Sequence, residues 1–148
     1  MAETLGMLCD KLSVIKLKQY HTEDSLRLES LATQAASLRA EIDEYLLMAV
    51  NGQIPANRLT FAANKVVKGE GNTVTEARGN LGELMYQLAD CNCRLWHQQE
   101  KVYEFEKVPV GEKDKVIKEL ALLNLERNNC IDSINQQFST MIAQRNNS

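Results

Sequence analysis

Residues 28–49 read LESLATQAASLRAEIDEYLLMA. Within this stretch Leu28, Leu31, Ala35, Leu38, Ile42, Tyr45 and Ala49 recur every three or four residues, which places them on one face of an α-helix. No glycine or proline interrupts the run, and Gly52 after Asn51 supplies a stop. The same period returns in three other places. Residues 3–21 carry Leu5, Leu8, Leu12 and Ile15, with Val14 and Leu17 widening the stripe toward His21. Thr22-Glu23-Asp24-Ser25 then offers a cap and a break, with one continuous helix as the alternative. Residues 81–106 carry Leu84, Leu88, Cys91, Leu95, Val102 and Phe105, and Val108-Pro109-Val110-Gly111 ends them. Residues 112–143 carry Ile117, Leu120, Ile131, Ile134, Phe138 and Met141, interrupted by Asn124 and Arg127.

These four runs predict an all-α protein: four long helices in an antiparallel bundle, read as a single helical domain over residues 1–148. The first helix pair covers 3–51, a crossover covers 52–79 and the second pair covers 81–143. The crossover holds Gly52, Pro55, Gly69, Gly71 and Gly79. It is read as a short extra helix from Pro55, with Leu59, Ala62 and Val66 on one face, followed by a turn at Lys68–Asn72. Composition agrees with the helical reading. Seven glycines, two prolines and 5% aromatics in 148 residues disfavour a β-sandwich or barrel.

Several function classes are disfavoured by composition. A net charge of −3 leaves no electrostatic footprint for nucleic acid. No apolar run approaches the roughly 18 residues of a membrane span, and Met1-Ala2-Glu3-Thr4 lacks the basic start of a signal peptide. Cys9, Cys91, Cys93 and Cys130 show no zinc spacing and have apolar neighbours, which predicts buried free thiols in a reducing cytoplasm.

Two histidines carry the functional information. Tyr20-His21-Thr22-Glu23-Asp24 and Trp96-His97-Gln98-Gln99-Glu100 each read aromatic, His, two residues, acid, and no other His exists. On a helix, residues three apart share a face, so each imidazole is placed to meet its own carboxylate, Asp24 or Glu100. One motif falls in each half of the chain, which adds a pseudo-twofold repeat of helix pairs to the fold expectation. Asp90, Cys93, His97, Glu100 and Glu104 continue at three-four spacing as a second seam beside the apolar one.

If the repeat brings the motifs together, His21, His97, Asp24 and Glu100 form a central site with the donor inventory of a divalent metal centre. The plainer reading is a satisfied structural histidine stacked by Tyr20 or Trp96, and structural or binding use outweighs metal ligation by roughly three to one. Arg127 interrupts the apolar face of the fourth helix. A buried unpaired charge costs about 3–5 kcal/mol, so Asp90 or Glu100 is its expected partner. Such an arginine also suits bidentate capture of a small anionic ligand.

Asp10-Lys11-Leu12-Ser13-Val14-Ile15-Lys16-Leu17-Lys18-Gln19-Tyr20-His21 and Leu95-Trp96-His97-Gln98-Gln99-Glu100 resemble two segments of a bacterial family of unknown function. Arg127-Asn128-Asn129-Cys130-Ile131-Asp132-Ser133-Ile134 is similar to its close, and Glu41-Ile42-Asp43-Glu44-Tyr45-Leu46 to a run after the first segment. The order of the two His segments is reversed here, as in a permuted relative. The resemblance implies an all-helical fold and a loose link to bacterial glycosyltransferase and surface-polysaccharide genes. The resulting expectation is a small cytoplasmic binding or accessory module. It is expected to work without a cofactor, a divalent metal being the open option, to form a homo-oligomer, and to bind a protein or a small anionic ligand. The alternative class is a metal-dependent hydrolase of the helical-bundle type.

Overall fold

The structure, a computed structural model, describes residues 2–61 and 79–146. Four long helices account for nearly all of it: α1 Leu5–His21, α2 Ser25–Val50, α3 Leu81–Tyr103 and α4 Lys113–Asn146, with no strand among the described residues. The break between α1 and α2 is real. Asp24 caps α2, its carboxylate accepting from the Leu26 and Arg27 N–H groups, and so satisfies donors that a helix start leaves orphaned. At the other end Gly52 takes φ +75, with Gly52 N–H on Ala49 C=O and Gln53 N–H on Met48 C=O. That is the paired closure for which a glycine past the helix end is suited.

The short connections force antiparallel pairs, α1 against α2 and α3 against α4. α1 packs on all three other helices, while α3 rests mainly on α4. The main core joins Leu5 and Leu8 of α1, Tyr45 and Ala49 of α2, Leu84 and Leu88 of α3, and Ile134, Phe138 and Ile142 of α4. A satellite core of Cys91, Leu95 and Leu123, flanked by Leu120, lies further along α3 and α4. Leu59 is buried as expected, directly after a single 3₁₀ turn over Ala56–Arg58 rather than in an α-helix. Ala62, Val66 and the turn at Lys68–Asn72 lie outside the described residues.

Three apolar positions differ from expectation. Val102, Ile117 and Met141 are exposed. α3 stops at Tyr103, ahead of a 3₁₀ turn at Phe105–Lys107, so Val102 sits in its last turn. On α4 the buried residues are Val116, Leu123, Cys130, Ile131, Ile134, Asn135, Phe138 and Ile142, with Leu120 half-buried. The line they form runs one residue off Ile117 and Met141, because a straight helix repeats at 3.6 residues and a stripe read at fixed steps drifts around it. Arg127 falls midway between Leu123 and Cys130, at a core position of that line.

α1 meets α4 without space to spare. The Gly6 N–H donates to Asn135 Oδ1 at 2.7 Å across the helix interface. Thr4, itself fully buried, accepts from the Met7 N–H. The start of α1 is thus capped by its own threonine and by an asparagine of α4. A Cβ added at Gly6 would lie 2.5 Å from the Ile131 carbonyl oxygen.

Candidate functional site

α1 and α3 run in the same direction. Asp10 accepts from the Asn92 side-chain amide at 2.9 Å, and His21, further along α1, stacks on Trp96, further along α3. The ring centroids of that stack are 4.8 Å apart and the planes 13° from parallel. Tyr20 closes on His21 edge-on at 5.1 Å. A histidine of one motif therefore lies on the aromatic residue of the other.

Between the two helices runs an open groove of about 780 Å³. Its floor is apolar, with Cys9, Leu12 and Leu17 from α1 and Met85, Leu88 and Ala89 from α3. Tyr20, His21, Trp96, His97 and Glu100 all line it, so five residues singled out in the sequence come together along one surface. The site is not central, as the core between the helices is filled by apolar side chains. Both histidines are exposed on the groove.

The remaining expectations need correction. Asp24 does not serve His21; its carboxylate is engaged by the start of α2, because a side chain just before a helix meets orphan N–H groups first. Neither His97–Glu100 nor His21–Asp24 is an ion pair among the described residues. Asp90 does not pair with Arg127. It accepts from Arg94 Nε at 3.1 Å, while Arg94 Nη2 reaches Glu126 at 3.1 Å and ties α3 to α4. Glu100 does not pair with Arg127 either, and the Arg127 Nε is buried with no hydrogen-bond partner among the described residues. Among the described residues no three His, Cys, Asp or Glu gather as a metal site. The tentative set of His21, His97, Asp24 and Glu100 loses Asp24 to the helix cap.

The cysteines divide. Burial pushes the Cys9 thiol up to about 11, with the neighbouring Asp10 charge adding to it. Cys91 is pushed up to about 12, first by burial and then by Glu126 and Cys130, and its S–H donates to the Leu123 carbonyl. Burial and then Glu126 also raise Cys130. Cys93 departs from the expectation: it is exposed and lines the groove. Its place in the seam with His97 and Glu100 was the available signal, since that seam lies off the buried line of Leu88, Cys91 and Leu95.

Sequence reasoning also missed Arg27, and Lys18, the cation two residues before Tyr20 in the first motif, reads from the sequence as part of a solvated helix face. With Arg127 they line a second chamber, of about 420 Å³, on the far side of the His21–Trp96 stack. Single basic residues on helix faces carry no signal of convergence until the helices are packed. Among the described residues no helix is long and apolar enough to cross a membrane. No protein-family model, no curated protein and no solved structure matches the chain, so its functional reading rests on this geometry.

Proposed function

We propose that the chain is a binding module whose α1/α3 groove takes a small ligand with an apolar body and a polar end. The carrying observation is that both copies of the repeated motif line one apolar groove, with His21, His97 and Glu100 as its polar groups. Its volume of about 780 Å³ falls in the range of about 300–1,000 Å³ usual for ligand pockets, which are mostly apolar with few placed polar groups. Met85 supplies an adaptable wall and Trp96 a rigid one. The wider assignment, an accessory role in bacterial surface-polysaccharide synthesis, is supported by the resemblance of the four segments alone. The metal-dependent hydrolase reading draws no support from the donor geometry.

The test uses 1-aminoanthracene, a neutral apolar fluorophore whose own emission reports binding in every variant, with the single tryptophan, Trp96, as a second reporter in the unsubstituted protein. Saturable binding at one probe per chain is expected, with a change in Trp96 emission and slower alkylation of Cys93. Ala89 is exposed and lines the groove, so Ala89→Trp fills the space without entering the core. This variant should weaken probe binding at least about tenfold, the loss of a well-packed apolar contact of about 1.4 kcal/mol or more. Absent saturation, or binding untouched by Ala89→Trp, would overturn the reading. A doubled mass by light scattering that Ala89→Trp halves would make a second copy of the chain the occupant instead.

A further inference from the structure

We infer that the chamber beside the groove is a binding site for a phosphate monoester. It is walled by Leu17, His21 and Trp96 on the groove side, and Lys18, Arg27 and Arg127 enter it from α1, α2 and α4. Three cations face one carboxylate, Glu100, in a protein whose overall charge is negative. Four nearby acids are engaged elsewhere. Asp90 and Glu126 hold Arg94, Asp10 accepts from Asn92, and Asp24 caps α2. None of the three cations forms an ion pair among the described residues.

Arg127 is the centre of the inference. It occupies a core position of α4 between Leu123 and Cys130, where an apolar side chain would complete the buried line. Its Nε is buried and has no hydrogen-bond partner among the described residues. A partly buried guanidinium left unpaired is a cost to the fold, and an anion in the chamber that Arg127 lines offsets its charge. The excess of two positive charges matches the roughly −1.5 to −2 of a phosphate monoester near neutral pH, and a guanidinium presents its N–H groups in the fork that phosphate oxygens accept. Space remains for an organic substituent against Leu95, Trp96 and Tyr103.

This inference stands apart from the groove reading, since Ala89 lines the groove alone and the groove probe carries no charge. The test compares phenyl phosphate, inorganic phosphate and phenol by thermal melting and Trp96 fluorescence. Phenyl phosphate should raise the melting midpoint and shift Trp96 emission, inorganic phosphate should do so more weakly, and phenol should do neither. Arg127→Met keeps the apolar stem and removes the charge. It should weaken phenyl phosphate binding about tenfold or more, the scale of a lost charge-assisted hydrogen bond, and raise the midpoint of the ligand-free protein. Lys11→Met, on a lysine paired with Glu3 away from the chamber, should leave binding unchanged. If Arg127→Met does not fold, the exposed Lys18→Met and Arg27→Met variants carry the test and should each weaken binding several-fold. Binding retained in all three variants, an equal loss in Lys11→Met, or no effect of either phosphate would overturn the site.

Discussion

Among the cysteines, environment alone separates four chemically identical groups. Cys93 stands exposed in the groove, whereas desolvation holds Cys9, half-buried in the groove floor, and the buried Cys91 and Cys130 in the thiol form. The thiolate is the nucleophile, and at pH 8 a thiol raised to about 11 is ionised to about one part in a thousand. Iodoacetamide at pH 8 should therefore label Cys93 first and the other three far more slowly, read by peptide mass spectrometry. The sign of the shift makes a second outcome testable: Cys9 labelling should rise about tenfold per pH unit up to about 11. Equal rates at all four positions would contradict the burial. The sequence pattern put all four thiols inside, because each has apolar neighbours in the chain. That Cys91 faces inward on α3 and Cys93 outward depends on the packing of α4.

Between elements, the α1/α4 contact turns on a glycine that helix propensity would remove. Alanine is favoured over glycine within a helix by about 1 kcal/mol, so Gly6→Ala would stabilise an isolated α1. Here the new methyl would press on the Ile131 carbonyl oxygen at 2.5 Å and the Asn135 Oδ1 at 2.9 Å. Backbone cannot swing aside as a flexible side chain does, and overpacking of this kind costs about 1–3 kcal/mol. The Gly6 N–H to Asn135 bond would be strained with it, and a buried N–H left unmade costs about 1–3 kcal/mol more. Against the helix-propensity gain, Gly6→Ala should thus lower stability by about 1–5 kcal/mol in urea unfolding, with no change in helix content. A gain in stability would show that the helices part easily here. Nothing local marked Gly6 for this role, since its reason lies on a helix more than a hundred residues away in the chain.

In the molecule as a whole, core and candidate site are separable. The main core closes with Leu5, Leu8, Leu84, Leu88, Ile134 and Phe138, while His21 and His97 stand on its outer surface. The His21→Ala, His97→Ala double variant should keep its helical circular dichroism and lose no more than about 0.5–1.5 kcal/mol, the value of the His21–Trp96 stack. It should still lose affinity for a polar-ended groove ligand. Unfolding of the double variant would make the motifs structural. The two halves contribute one motif each to this surface, an arrangement that the repeat anticipated and that the parallel course of α1 and α3 realises.

What the chain determined by itself was the part governed by neighbours three and four residues apart: four helices, the break at Asp24, the stop at Gly52 and the pairing of helices joined by short turns. The two His motifs were equally legible, because a repeated pattern needs no third dimension to be seen. The tertiary structure alone decided the partners. It gave Asp90 and Glu126 to Arg94 and left the Arg127 Nε without one, and it turned Cys93 outward and Cys91 inward. It also brought Lys18 and Arg27 from different helices to one chamber. The division has a physical basis. Helix formation answers to local hydrogen bonds and apolar spacing, whereas charge pairing and cavity lining depend on which helix faces meet, and that is settled by packing among residues far apart in the chain.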